Sequence, residues 1–114
     1  MIYQITSDNI DLSKSMETLA KNKFERIENR TKNLPNDSCF ARIVLNSAPD
    51  EQFEVRADLD INGKKYFSDE TEFSLEAALI AVVEELLEMM EKDSIVQKRK
   101  QLEEKEIVEQ SLAE

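Results

Sequence analysis

From Phe53 to Ile61 the apolar residues Phe53, Val55, Ala57, Leu59 and Ile61 alternate with the polar residues Glu54, Arg56, Asp58 and Asp60. A period of two sends one set to each face of a strand, which predicts a half-buried antiparallel sheet at mid-chain. Asn62-Gly63 follows, and both residues accept positive φ. The chain can therefore reverse in two residues and return as a second strand from Lys64 to about Thr71.

The same alternation recurs upstream, where Cys39, Ala41, Ile43 and Leu45 interleave with Phe40, Arg42, Val44 and Asn46 before an Ala48-Pro49-Asp50 turn. Ile2 to Thr6 reads as a short strand, and Ser7-Asp8-Asn9 as a turn. The period then changes. Met16, Leu19, Ala20, Phe24 and Ile27 fall on one arc at 3.6-residue spacing, which predicts a helix from about Lys14 to Lys32 with Ser13 as its N-cap. Asn33-Leu34-Pro35-Asn36-Asp37 ends it. Ser74 caps a second helix with Leu75, Ala78, Leu79, Val82, Val83, Leu86 and Met90 on its apolar side, and Phe73 is placed to staple against Ala78.

The order strand, helix, strand, strand, strand, helix predicts an α+β fold, β-α-β-β-β-α, in which two helices cover one face of a four-stranded sheet. The strand-helix-strand start makes the first two strands a right-handed parallel pair if they are neighbours. Past Asp93 the pattern weakens. Residues 1–100 form the expected domain and residues 101–114 an acidic tail.

Composition narrows the chemistry. At 114 residues the chain suits one domain, and 40% hydrophobic with 35% charged residues describes a soluble globular protein. The N-terminus lacks a basic region followed by an apolar one, which points to the cytoplasm, and no apolar run is long enough to span a bilayer. Cys39 is the only cysteine and there is no histidine. That removes internal disulfides, ordinary zinc sites and Cys/His or Ser/His nucleophilic machinery. Gly63 is the only glycine and the turn uses it, so there is no glycine-rich phosphate loop. The expectation is a protein without catalysis or cofactor, with Cys39 as a small buried hydrophobe.

A net charge of −10 argues against nucleic acid, but its distribution matters more than its sum. The first helix carries Lys14, Lys21, Lys23, Arg26, Arg30 and Lys32 against Glu17, Glu25 and Glu28. Lys23, Arg26 and Arg30 lie along one flank of the apolar arc, where their heads can rise into a groove beside the second helix and meet phosphate. A solvated face tied by Glu/Lys pairs is the competing reading. Asp58, Asp60, Asn62 and Gly63 match the opening of a calcium loop, yet the twelfth position is Asp69 and the flanks alternate as strands. Sheet alternation accounts for the same aspartates without metal. Glu84, Glu85, Glu88 and Glu91 read as a solvated helix face, because a di-iron site needs histidines.

The assembled pattern resembles the ribosome hibernation-promoting factor and ribosome-associated inhibitor A family, from Ile2 to roughly Lys98. The residues that carry the likeness are Ile5-Thr6 with Asn9-Ile10, Lys23-Phe24 with Arg26-Ile27-Glu28, Asn62-Gly63, and Phe73-Ser74-Leu75-Glu76-Ala77-Ala78-Leu79. The resemblance implies a fold similar to a double-stranded RNA-binding domain. It also implies a place on the small ribosomal subunit near the decoding region, contact with 16S rRNA, and a block to tRNA and mRNA by occupancy. The chain looks like the short class without a separate dimerisation domain. The family's basic positions on the first helix match at Lys23 and Arg26, with Arg30 and Lys21 nearby and Lys92 the main basic residue left on the second helix, so the expected RNA-binding residues are Lys21, Lys23, Arg26, Arg30 and Lys92. The second helix departs from the family, which usually places several basic residues where this chain has Glu85 and Glu88. The alternatives are an acidic protein-interaction module of the same fold, which would bind basic ribosomal proteins, and a calcium-binding protein.

Overall fold

The computed structural model describes residues 1–93; residues 94–114, with the expected domain boundary and acidic tail, lie outside them. The elements are β1 (Ile2–Thr6), α1 (Lys14–Arg30), a 3-10 turn (Asn36–Ser38), β2 (Cys39–Ala48), β3 (Gln52–Ile61) and β4 (Lys64–Glu72). A second helix, α2, follows over 75–93. The sheet order is β1-β2-β3-β4, with β1 parallel to β2 and the other pairs antiparallel. This is the α+β, β-α-β-β-β-α architecture that the periodicities predict.

Each strand sends its odd or even set to one face according to the register. Ile43 pairs with Ala57, which pairs with Ser68, and Ala41 with Leu59, which pairs with Tyr66. That face meets both helices. Phe24 and Ile27 of α1, Ile43 and Leu45 of β2, Val55 and Leu59 of β3, and Leu79, Val82 and Leu86 of α2 are all almost fully buried. Truncating Leu59 or Leu79 to Ala would cost about 2–5 kcal/mol, because the removed methyl groups leave a cavity in a close-packed interior. Cys39 is buried at the start of β2, as expected of a small hydrophobe.

A polar clamp sets where α1 begins. The buried Asn46 of β2 accepts from the Asp8 backbone N–H (2.9 Å) and donates from Nδ2 to Asp8 Oδ2 (3.1 Å), while Arg56 reaches the same carboxylate oxygen at 2.9 Å. Asn9 pairs twice with the Ser47 backbone, each bond 2.9 Å. These bonds hold the β1–α1 connection on the sheet. Ser13 then accepts from the Met16 N–H at 3.2 Å as the N-cap.

The helix ends at Arg30, two residues earlier than the periodicity suggests. Thr31 turns its Oγ1 and its N–H back onto the Glu28 carbonyl, at 2.9 and 3.0 Å, and closes the last turn. The β2–β3 strands run longer than expected, to an Ala48↔Gln52 pair, because Asp50 and Glu51 both take positive φ and tighten the turn. Asn62 and Gly63 have φ of 51° and 91°, as the two-residue reversal requires. The residues from Asp58 to Asp69 are therefore a hairpin, with Asp58 opposite Phe67 and Asp69 opposite Arg56, not an ion-binding loop between helices. Ser74 caps α2 through the Ala77 N–H at 3.0 Å. Phe73 is 74% exposed, so the expected staple against Ala78 does not form. Among the described residues no helix is long and apolar enough to cross a membrane.

Candidate nucleic-acid interface

Both helices lie on the same face of the sheet and leave a groove between them. Asn22, Lys23 and Arg26 of α1 and Ile80 and Val83 of α2 line a cleft of about 340 Å³ there. The floor is apolar and the α1 rim is cationic. Arg30 continues the rim about one turn beyond Arg26, since four residues advance the helix by ~400°. Arg26 and Arg30 are exposed and make no ion pair among the described residues.

Lys23 is held differently. Its Nζ lies 3.0 Å from Glu76 Oε1, and its side chain is 25% exposed against 57% for the glutamate. The pair bridges the two helices across the groove mouth. It fixes the lysine head there, and it also occupies the charge that would otherwise meet a phosphate. Glu84, one turn beyond Ile80, adds a second exposed carboxylate near the α2 rim.

The remaining two candidates stand elsewhere. Lys21 precedes Arg26 by five residues, a rotation of ~140°, which places it on the opposite flank of α1. Lys92 follows Ile80 by twelve residues and is rotated by ~120°, toward the side of α2 that faces β4. Both are exposed. Of the five candidates, then, Lys23, Arg26 and Arg30 make one row, and Lys21 and Lys92 are separate from it.

Glu85 does not belong to a uniformly solvated face. Ser68 of β4 donates to Glu85 Oε2 at 3.0 Å, and Glu70, two residues along the same face of the strand, shares a hydrogen bond with Glu85. That hydrogen bond, partial burial and the charges of Glu85, Glu72 and Asp69 raise the Glu70 carboxyl above the usual range. Tyr66, on the same strand, is pushed up to about 12 by burial and by its bond to Asp93. Sequence reasoning missed the Glu70–Glu85 contact and the Lys23–Glu76 bridge. Both join residues of different elements, so no local spacing announces them. What the groove can do chemically is bind: it presents cations and an apolar floor.

The structure is similar to known proteins. It matches a ribosomal subunit interface protein from Coxiella burnetii with a TM-score of 0.68 and 18% identity, over 83% of this chain and 99% of that one. It matches the N-terminal domain of Thermus thermophilus Protein Y with a TM-score of 0.63 and 21% identity, over 75% and 89% of the respective chains. At these identities the likeness establishes the fold. No curated relative matches the chain. The family model described as Sigma 54 modulation protein / S30EA ribosomal protein matches residues 3–98, most of the chain and all of the described secondary structure beyond the first residue of β1, and the protein belongs to that family.

Proposed function

We propose that this protein is a ribosome-associated hibernation factor that binds the small subunit near the decoding region and silences idle ribosomes by occupancy. The observation that carries the reading is the row Lys23, Arg26 and Arg30 on a groove rim, in a chain of the S30EA ribosomal protein family. Its structural neighbours bear the names Protein Y and ribosomal subunit interface protein, which agrees with a site at the subunit interface. The row meets 16S rRNA phosphates, and the bulk of the domain blocks tRNA and mRNA. No bond is made or broken, so the protein is not an enzyme and needs no cofactor. The work is done in the cytoplasm.

Phosphate contacts release counterions, so the two unpaired cations Arg26 and Arg30 imply a log-log salt slope of roughly −1.4 to −1.8, and Lys23 steepens it only as far as Glu76 releases it. Co-sedimentation of the purified protein with 30S and 70S particles tests this directly. Binding falls as salt rises above ~0.1 M, where contacts are read locally. The double substitution Arg26→Glu and Arg30→Glu abolishes it, whereas reversal of Lys64 and Lys65 has little effect. Equal losses from both pairs would remove the row from the mechanism.

A second reading draws on the Lys23–Glu76 bridge and the crowded Glu70–Glu85 pair, which leave the α2 side of the molecule acidic. On this reading the contact is a basic ribosomal protein. Binding to isolated ribosomal protein and none to naked rRNA would favour it.

A further inference from the structure

β4 is an edge of the sheet: β3 pairs with one side of it and, among the described residues, no strand pairs with the other. The backbone groups it leaves open follow from the hairpin. Asn62 N–H donates to the Ser38 carbonyl at 2.8 Å, at the head of β2, so Ile61 turns its own groups to β4 and forms a hydrogen-bonded pair with Lys64 across the two-residue turn. Such pairs recur at every second residue of an antiparallel ladder. Lys64, Tyr66, Ser68 and Glu70 therefore bond to β3, while Lys65, Phe67, Asp69 and Thr71 direct their N–H and C=O groups away from the sheet.

The side chains along this edge are divided by sign. Lys64 and Lys65 stand at its start, Asp69, Glu70 and Glu72 at its end, and Phe67 midway, 52% exposed. Charged edges usually block pairing. A divided one blocks it only in parallel, where lysine would meet lysine; reversed, the strand is complementary to itself. β1, the other edge, has five residues and no charge, and fixes no such register.

We propose that β4 pairs antiparallel with β4 of a second copy about a two-fold axis at Phe67, joining two sheets into one. Lys65, Phe67 and Asp69 then lie opposite Asp69, Phe67 and Lys65 of the second copy, and their open backbone groups bond to each other. Lys64 stands opposite Glu70, and Tyr66 opposite Ser68. Every charged residue in this register meets the opposite sign. Other registers do worse: an axis at Tyr66 sets Lys65 against Phe67, one at Ser68 sets Phe67 against Asp69, and one at Asp69 sets that carboxylate against itself.

The neighbouring strand leaves these charges available. Lys65 lies opposite Asp60 and Asp69 opposite Arg56, but neither is an ion pair: Asp60 Oδ1 accepts from Gly63 N–H at 3.0 Å, and Arg56 reaches Asp8 and Glu54 at 2.9 and 3.5 Å. Lys64 meets Asp93 at 2.9 Å, so its ammonium would stand between two carboxylates, and Glu70, crowded by Glu85, Glu72 and Asp69, gains a cation.

α2 fits the same axis. Glu85 bonds to Ser68 and Asp93 to Tyr66, one on either side of Phe67, so the axis passes between them and a reversed copy brings Lys92 toward Glu85. Ala81, Met89 and Lys92 lie within ~40° of Glu85 on the flank turned to the open edge. With helices ~10 Å apart over strands ~4.8 Å apart, the two α2 axes come within ~9 Å of each other, a normal packing distance.

Sedimentation equilibrium of the full chain in ~0.15 M salt, where long-range repulsion is screened, tests the proposal. The expected mass rises from 13.2 kDa toward twice that value between ~0.01 and ~1 mM chain, as suits an interface at the small end of the range. Lys65→Asp and Asp69→Lys, both at exposed positions, each leave a monomer at every concentration. Mixed one to one, the two variants dimerise again, since each supplies the sign the other lacks. A mass of 13.2 kDa throughout for the unsubstituted chain overturns the proposal. So does a dimer that survives either reversal, which would place the contact on another face, or a mixture that stays monomeric. Both side chains lie on the sheet face away from the helices, so ribosome binding through the α1 row is the same in either variant.

Discussion

Glu70 and Glu85 illustrate how much a single contact between elements changes what a residue does. Two carboxyl groups that share one hydrogen bond favour a state with one proton between them. The Glu70 carboxyl is raised in the folded protein, so its protonated form is preferred there over the unfolded chain. The stabilisation it provides is fully present below the ordinary carboxylate pKa and is lost as pH rises through the raised value. Once pH exceeds that raised value, the Glu70 charge is a repulsive one beside Glu85, Glu72 and Asp69. Glu70→Gln keeps the hydrogen bond and removes the charge, and it should raise Tm at pH 7 by ~2 °C, on the scale of a few tenths of a kcal/mol. The gain should shrink as pH falls toward the acid range. A thermal melt series of both proteins from neutral to acid pH checks it, and a gain that does not depend on pH would show that charge is not the cause. Glu51 stores strain of a different kind, with φ of 59° in the β2–β3 turn. Glu51→Gly should stabilise by about 1 kcal/mol, read as a shift of the denaturation midpoint, because the left-handed region penalises a Cβ.

At the scale of elements, α1 and α2 act through the groove they form. The Lys23–Glu76 bridge is partly exposed, so its own contribution to stability is small, and its consequence is for binding. Glu76→Gln frees the lysine head and removes one negative charge from the groove mouth. It should tighten ribosome binding by ~3-fold to 10-fold with little change in Tm, since one charge-assisted contact is worth about 1 kcal/mol. Titration of 30S particles with both proteins measures this, and unchanged affinity would place the RNA contact away from the groove. Much of this element scale was legible in advance. The period-two runs and Asn62-Gly63 mark three strands, and Ser13 and Ser74 mark both helix starts, because strand alternation and capping are local properties. Thr31 was less readable, since its bond to the Glu28 carbonyl competes with a periodicity that continues past it. Lys21 was readable but misgrouped: its rotation of ~140° from Arg26 follows from 3.6 residues per turn, whereas charge alone puts it with the row. Glu76 and Glu85 had no readable role, because each meets its partner across a helix–helix or helix–sheet contact.

At the scale of the whole molecule, a net charge of −10 and a three-cation row act over different distances, and salt separates them. The Debye length is ~30 Å at 0.01 M salt, comparable to the size of the domain, so an RNA surface then senses the full negative charge. At 0.1–0.15 M the length is ~8–10 Å, and the RNA senses only the rim that faces it. Screening first removes the overall repulsion and then, at higher salt, the local attraction. Affinity for 30S particles at constant magnesium should therefore rise between ~0.01 and ~0.1 M monovalent salt and fall beyond it, in contrast to the monotonic fall of a uniformly basic RNA-binding protein. The double substitution Arg26→Glu and Arg30→Glu should keep the rising limb and lose the maximum. A filter-binding series across that range gives both curves. A monotonic fall in the unsubstituted protein would mean that negative charge on α2 and β4 points well away from the RNA, and that the bound surface is more basic than the groove rim alone.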